Sequence, residues 1–297
     1  MTTIEAGPQG GQGAKRQMGQ RIRIGVVAPG TRIDEALAER VKAFAADAFL
    51  DQAPEIVFHP QCFLSEGHFA GDDAVRAQAF LDVANDPKFD ALWVARGGYG
   101  ACRMAEAVLA GYHESARAKT YLGYSDAGAI LGGLYKLGFP NIVHGPMPID
   151  ITREGGEAAV KRALSYLIER APESLEMTVM AEGKFAAFNI MILHSMLGTS
   201  LEPDLSGHVV MLEELNEYLY RIDRALFHIM ASPNIRRVRG IKLGRISNVP
   251  ENDKPFGATA EEMIQYWCAR AGVPYLGRAD IGHDVDNRVV PFGTCKR

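Results

Sequence analysis

Four short strings in this 297-residue chain hold residue types at spacings that could do chemistry. In Gly123-Tyr124-Ser125-Asp126-Ala127-Gly128 a serine stands at a sharp strand-to-helix turn. Such a turn lifts a hydroxyl clear of a sheet, and the helix N-terminus behind it favours developing negative charge. The same Ser-Asp pair would also serve as a plain N-cap, and the second glycine comes one place later than in GxSxG. Arg96-Gly97-Gly98-Tyr99-Gly100 is a second strand-to-helix loop. Its glycines permit positive φ, and its amides could hold a phosphate, a carboxylate or an oxyanion, or simply close a tight turn. It has neither GxGxxG spacing nor a P-loop lysine. His283, in Ile281-Gly282-His283-Asp284, lies in a glycine-flanked loop, a poor place for core packing and a good one for proton transfer. Glu213 and Glu214 end an apolar run, where a carboxylate could orient a histidine; a charged helix start explains the same residues.

The remaining reactive side chains have plainer readings. Cys102, two residues past the glycine loop, reads as a small buried hydrophobe rather than a reactive thiol. His144 ends a strand near the same sheet edge, in reach of a pocket. His194 and His228 fall on helical patterns and read as packing or surface residues; His59 and His68 are too isolated to argue a metal site. Arg221, Asp223 and Arg224 read as helix ion pairs.

The elements that must position these strings are legible from periodicity. Apolar strands are expected at Ile22–Pro29, Pro54–Phe58, Ala91–Ala95, Thr120–Gly123 and Asn141–His144. They alternate with helical patterns at Asp34–Ala48, Asp72–Ala84, Arg103–Leu109 and Ala127–Leu137, which argues a doubly wound parallel sheet. In such sheets ligands sit beyond the carboxyl ends of the strands. Glu154–Ala171 reads as a helix near a domain boundary. Beyond it, β-like runs at Glu176–Met180, His208–Leu212 and Ile241–Ile246 alternate with helices at Ile190–Leu197, Ile222–Met230 and Ala260–Ala271. The expectation is an α/β domain over 21–171 and a smaller α+β domain over 172–297, in keeping with about 150 residues per domain.

Composition narrows the class. Hydrophobic residues make up 47% and charged residues 23%, an ordinary globular balance that excludes global disorder. The net charge of -4, from 32 basic and 36 acidic residues, leaves no basic footprint for nucleic acid. Cys62, Cys102, Cys268 and Cys295 are far apart with no CxxC pair, which argues against a disulfide framework or zinc cluster and for a reducing compartment. No run reaches the roughly 18 apolar residues of a membrane span. Residues 1–20, Gly/Gln-rich with no apolar core, read as a flexible leader and not a secretory signal.

Taken together, the four strings resemble the LD-carboxypeptidases, or muramoyltetrapeptide carboxypeptidases, a family of serine peptidases. The family's RGGYG loop, G-[FY]-S-D elbow, acidic stretch ending in YRIDR, and G-H-x-x-x-N-x-x-x-P-x-G tail occur here in that order. Gly71-Asp72-Asp73 with Arg76, and Asp86-Pro87, are similar to the segment before the loop. The resemblance runs from about residue 22 to 293. It implies Ser125 as nucleophile, His283 as base and Glu213, seven residues before Tyr220, as orienter; Glu214 stands where the family usually has aspartate. It implies an oxyanion hole from amides near Gly98 and from Asp126, and an active site assembled across two domains. Ala186-Ala187-Phe188-Asn189 departs from the Gly-Gly-Asn of relatives.

The implied substrate is a murein tetrapeptide losing its terminal D-alanine, in cytoplasmic recycling of cell-wall peptides by a homodimer without metal or cofactor. An exopeptidase must hold a free carboxylate; Arg96, Arg103 and Arg221 are candidates, with Tyr99 and His144 as further substrate contacts. Two other readings stand beside it: a related enzyme acting on peptidyl or aminoacyl nucleotides, and a non-catalytic module that binds a ligand at the glycine loop.

Overall fold

The computed structural model describes residues 21–294. The expected leader and Cys295 lie outside the described residues. Five parallel strands form the first sheet: β1 (Arg23–Val27), β2 (Glu55–Phe58), β3 (Ala91–Val94), β4 (Thr120–Gly123) and β5 (Ile142–His144). Their order is β2-β1-β3-β4-β5, so the winding reverses between β1 and β3. Helices α1 (Glu35–Phe49), α2 (Asp73–Asn85), α3 (Ala101–Gly111), α4 (Gly128–Lys136) and α5 (Gly156–Glu169) connect and follow them. Apart from the edge strand β2, the strands are buried on both faces, which is why they read as nearly continuous apolar runs. Ile24, Val26 and Trp93 join one core, while Val27, Leu92 and Val94 join the other.

The second sheet carries four parallel strands: β6 (Lys184–Asn189), β7 (His208–Leu215), β8 (Gly240–Ser247) and β9 (Tyr275–Arg278). Around them run α6 (Ile190–Met196), α7 (Leu219–Ala231) and α8 (Ala260–Ala271). The C-terminal tail joins the two sheets. Its strand β10 (Val290–Pro291) pairs antiparallel with β5, and β11 (Gly293–Thr294) pairs antiparallel with β6. Pro291, which cannot donate to a ladder, sits on an edge strand.

The first-half elements lie where periodicity puts them. The second half needs one correction. Glu176–Met180 is not a strand: Met177–Met180 makes a single-turn helix whose start is capped by the Glu176 carboxylate, 2.7 Å from the Thr178 amide. Local side-chain capping outweighs the β-like composition of that run. The strand in that region is β6, whose two alanines weaken its β signal. Among the described residues no helix is long and apolar enough to cross a membrane.

Candidate active site

Ser125 follows β4 after one intervening residue, Tyr124, and adopts φ +60°, a left-handed conformation that costs a non-glycine residue free energy. A single helical turn, Ser125–Ala127, then leads into α4. The turn is therefore the elbow suggested by the sequence, and not a serine N-cap; no side-chain capping bond occurs at either helix start. Gly97 is pressed against it. A Cβ at Gly97 would lie 3.0 Å from both Cβ and Oγ of Ser125, so the glycine loop can reach the hydroxyl only without a side chain. Gly98 has φ +97°, and its Cα packs against Thr31, whose hydroxyl donates to the Gly97 carbonyl at 3.1 Å.

From the other sheet come the imidazole and the carboxylate. Ser125 Oγ lies 2.9 Å from His283 Nε2, and His283 Nδ1 lies 2.6 Å from Glu213 Oε2. His283 is supplied by the loop after β9, Glu213 by the end of β7, where it pairs in register with Asn189 of β6. Burial alone would lower the His283 pKa, but the Glu213 carboxylate, with smaller contributions from Asp150 and Glu214, outweighs it and the net shift is upward. Successive strand residues point to opposite faces, and this resolves the Glu-Glu pair. Glu214 turns away from the histidine and accepts from Asn189 Nδ2 and from the Met191 amide at the start of α6.

The two turns are held together by the side chain of Asp126, of which the sequence suggested only an oxyanion-hole contribution, and by Arg76, Tyr124 and Asn287, to which it assigned no role. Asp126, buried, accepts from the Ala101 amide at 2.8 Å, so the residue after the serine caps the helix that follows the glycine loop. Burial raises its pKa to about 6, against the opposing pull of the Ala101 and Gly100 amides and of Arg76. Arg76, fully buried, donates to the carbonyls of Pro29, Gly71 and Gly100, tying the loop after β1 to the loop after β3. Tyr124 donates to Asp150 at 2.8 Å and lays its ring 4.8 Å from that of His283. Asn287 accepts from the Gly282 amide and from His144, each at 3.2 Å, closing the loop that carries His283. Their partners are 5 to 143 residues distant, and nothing local in the sequence announces the longer pairings.

The remaining candidates divide. Arg96 lines a cavity of 420 Å³ with Thr31, Arg32, Asp34 and His68. Its own hydrogen bonds run to the backbone carbonyls of Gly97 and Arg32, and burial pulls its pKa down. Arg103 is engaged by the Asp73 carboxylate, and Arg221 by Glu217. His144 is buried behind Tyr124 with its Nε2 on Asn287, away from the cavities. Tyr99 is exposed and lines a second cavity, of 280 Å³, with Cys102, Glu106 and Asp126. Cys102, expected to be buried, is exposed; partial burial and the Asp126 carboxylate push its thiol pKa up, so it is not poised as a thiolate. Of the helix charges, Asp223 accepts from Trp267 and Arg224 stacks over Tyr220, while His194 and His228 meet Nδ1 to Nδ1 at 2.8 Å.

A hydroxyl, an imidazole and a buried carboxylate in hydrogen-bonded series on an α/β scaffold is the arrangement of a serine-type hydrolase. The comparisons with known proteins make the class specific. Residues 24–145 match the LD-carboxypeptidase N-terminal domain, and residues 182–297 match the LD-carboxypeptidase C-terminal domain. A homologue from Synechocystis sp. is 31% identical over 279 residues, covering 92% of this chain and 89% of its own length. The murein tetrapeptide carboxypeptidase of Pseudomonas aeruginosa is 25% identical over 291 residues, 91% of each chain. In fold, the crystal structure of muramoyltetrapeptide carboxypeptidase from Oxalobacter formigenes superposes with a TM-score of 0.75 at 22% identity, covering 91% of this chain and 93% of that one. The microcin C7 self-immunity protein gives 0.70 at 16% identity, covering 92% and 91%. The chain belongs to the LD-carboxypeptidase family.

Proposed function

We propose that the protein is a serine LD-carboxypeptidase that releases the terminal D-alanine of murein tetrapeptides, in cytoplasmic recycling of cell-wall peptides. The observation that carries this reading is the unbroken series from Ser125 Oγ through His283 to Glu213, at 2.9 and 2.6 Å. Glu213, with no exposed surface, accepts from Nδ1–H and so leaves the Nε2 lone pair facing the serine. Ser125 attacks the scissile carbonyl while His283 takes its proton. The imidazolium, stabilised by Glu213, then protonates the leaving amine, and water repeats the cycle on the acyl-enzyme. The amides of Gly98 and Asp126 stabilise the tetrahedral oxyanion, where one donor is typically worth about 10²–10³-fold in kcat. The strained φ of Ser125 and the close approach of Gly97 support this placement.

Incubating wild type and Ser125→Ala with a murein tetrapeptide and measuring free D-alanine tests the reading. The variant is expected to lose about 10⁶-fold in kcat, as loss of a triad nucleophile does; wild-type turnover in the variant overturns it. The fold likeness to the microcin C7 self-immunity protein sustains a second reading, hydrolysis of peptidyl or aminoacyl nucleotides. Against it, Trp93 is fully buried in β3 and Trp267 sits on α8 bonded to Asp223, so neither offers a ring to a base at the serine. Competing the two substrate types in one assay separates the readings.

A further inference from the structure

We infer that Arg96 binds the free carboxylate of the residue that leaves, in the cavity over the carboxyl ends of β1 and β3. The inference rests on the carboxypeptidase reading and names the residue that makes the enzyme an exopeptidase. Several observations carry it. The winding of the first sheet reverses between β1 and β3, the point at which open α/β sheets bind ligands. The 420 Å³ cavity there is lined from both following loops, by Thr31, Arg32 and Asp34 after β1 and by Arg96 after β3. Its one carboxylate, Asp34, is already taken up capping α1 through the Leu37 amide.

The three arginines also differ in what they hold. Arg103 is spent on Asp73 through two nitrogens, at 2.9 Å from Nε and 2.7 Å from an Nη. Arg221 is paired with Glu217 at 3.1 Å. Arg96, among the described residues, has no carboxylate partner; it makes only long contacts to carbonyls, at 3.2 and 3.3 Å. A partly desolvated guanidinium with free donors is the group that gains most from a planar, bidentate anion.

Position agrees with charge. Arg96 immediately precedes Gly97, which abuts Ser125 Oγ, so the loop that carries the guanidinium into this cavity also packs against the reacting hydroxyl. The 280 Å³ cavity on the other side of the loop is lined by Glu106 and Asp126 and by no cation. It has the wrong sign for a carboxylate. The loop Arg96–Gly100 thus separates a basic cavity from an acidic one, and the leaving carboxylate belongs in the first.

The test compares a murein tetrapeptide ending in free D-alanine with the same peptide ending in D-alaninamide, following release of each product. Wild type is expected to favour the acid by about 100-fold or more in kcat/KM, since a site built around a partly desolvated cation with no carboxylate partner rejects a neutral isostere. Arg96→Gln is expected to bring the two peptides within about threefold of each other by lowering the acid, mainly through KM. Arg96→Lys is expected to restore part of the preference. Labelling of Ser125 by a serine-reactive phosphonate at the wild-type rate verifies that the Arg96 variants are folded. Arg103→Gln and Arg221→Gln are expected to keep the wild-type preference. A 100-fold preference surviving in folded Arg96→Gln overturns the assignment, as does wild type that cleaves both peptides equally. Wild type that releases nothing from either peptide overturns the carboxypeptidase reading itself, and the assignment with it.

Discussion

Two buried histidines, His144 and His283, both lie against the Tyr124 ring, at 5.6 and 4.8 Å between centroids. Their side chains are equally removed from water, with 2% and 7% of their surface exposed. Their pKa values nonetheless move in opposite directions. Burial disfavours the imidazolium in both. His144 gives its hydrogen bond to the neutral amide of Asn287, and burial prevails, lowering it to about 4. His283 gives its hydrogen bond to the Glu213 carboxylate, which, with smaller help from Asp150 and Glu214, overrides burial and raises it. At equal burial, the formal charge of the hydrogen-bond partner decides whether a histidine can carry a proton. Only one of the pair is fit to shuttle one.

The largest test of that comparison makes His283 resemble His144. Glu213→Gln keeps a hydrogen-bond partner and removes the charge. Activity is expected to fall by about 10⁴-fold, the loss seen when a triad carboxylate becomes an amide. The wild-type acid limb reports a base that must be neutral to act, so its midpoint is expected above 6.5. In Glu213→Gln the His283 midpoint, followed by NMR, is expected below 6.5. A variant that retains activity within tenfold of wild type, or an unmoved midpoint, breaks the comparison.

A smaller effect concerns stability. The folded-state pKa of His144, about 4, lies below the ordinary 6.5, so between those values the unfolded chain binds the extra proton. Stability contributed by keeping His144 neutral is therefore present above pH 6.5 and lost as pH falls to 4, about 3 kcal/mol in all. Asp126 works the other way. Its folded-state pKa of about 6 lies above the ordinary 3.8, so acidification through that range relieves a buried charge and stabilises the fold. The two offset each other in wild type. Replacing the histidine, as in His144→Gln, removes one side of the balance. Urea unfolding at pH 7 and pH 4 is expected to find the variant losing about 3 kcal/mol less than wild type over that interval. Equal losses in the two proteins would mean that His144 does not titrate as its surroundings dictate.

The contrast also marks what a sequence can carry. Ser125 and His283 are legible because their turns are local, written in adjacent glycines. Which of Glu213 and Glu214 faces the histidine is not legible from the local pattern; only the family resemblance, counted back from Tyr220, singles out Glu213. Both are buried at the end of β7, and facing depends on the register of β7 against β6, a strand whose KFAAFN sequence barely signals itself. The His144–Asn287 pair spans 143 residues, and Arg76 joins two loops through backbone carbonyls that any residue could supply. The separation of the two cavities by one loop is a property of the assembled sheet order. Among Arg96, Arg103 and Arg221, the one with free donors stands out only once the carboxylates opposite the other two are in place.

The last test gives His144 what His283 has. Asn287→Asp places a carboxylate against Nε2 while keeping the oxygen that accepts from the Gly282 amide. It also removes Asn287 Nδ2, a buried donor with no partner, so the exchange strips no hydrogen bond from the loop. The His144 midpoint, followed by NMR, is expected to rise from about 4 to above 6.5. kcat/KM is expected to change by less than tenfold, because Glu213 and His283 keep their own contact and the new ion pair is neutral overall. A His144 midpoint that stays near 4 would show that burial, and not the charge of the partner, sets these two histidines apart. The assignment of Glu213 as the group that readies His283 would then lose its physical basis.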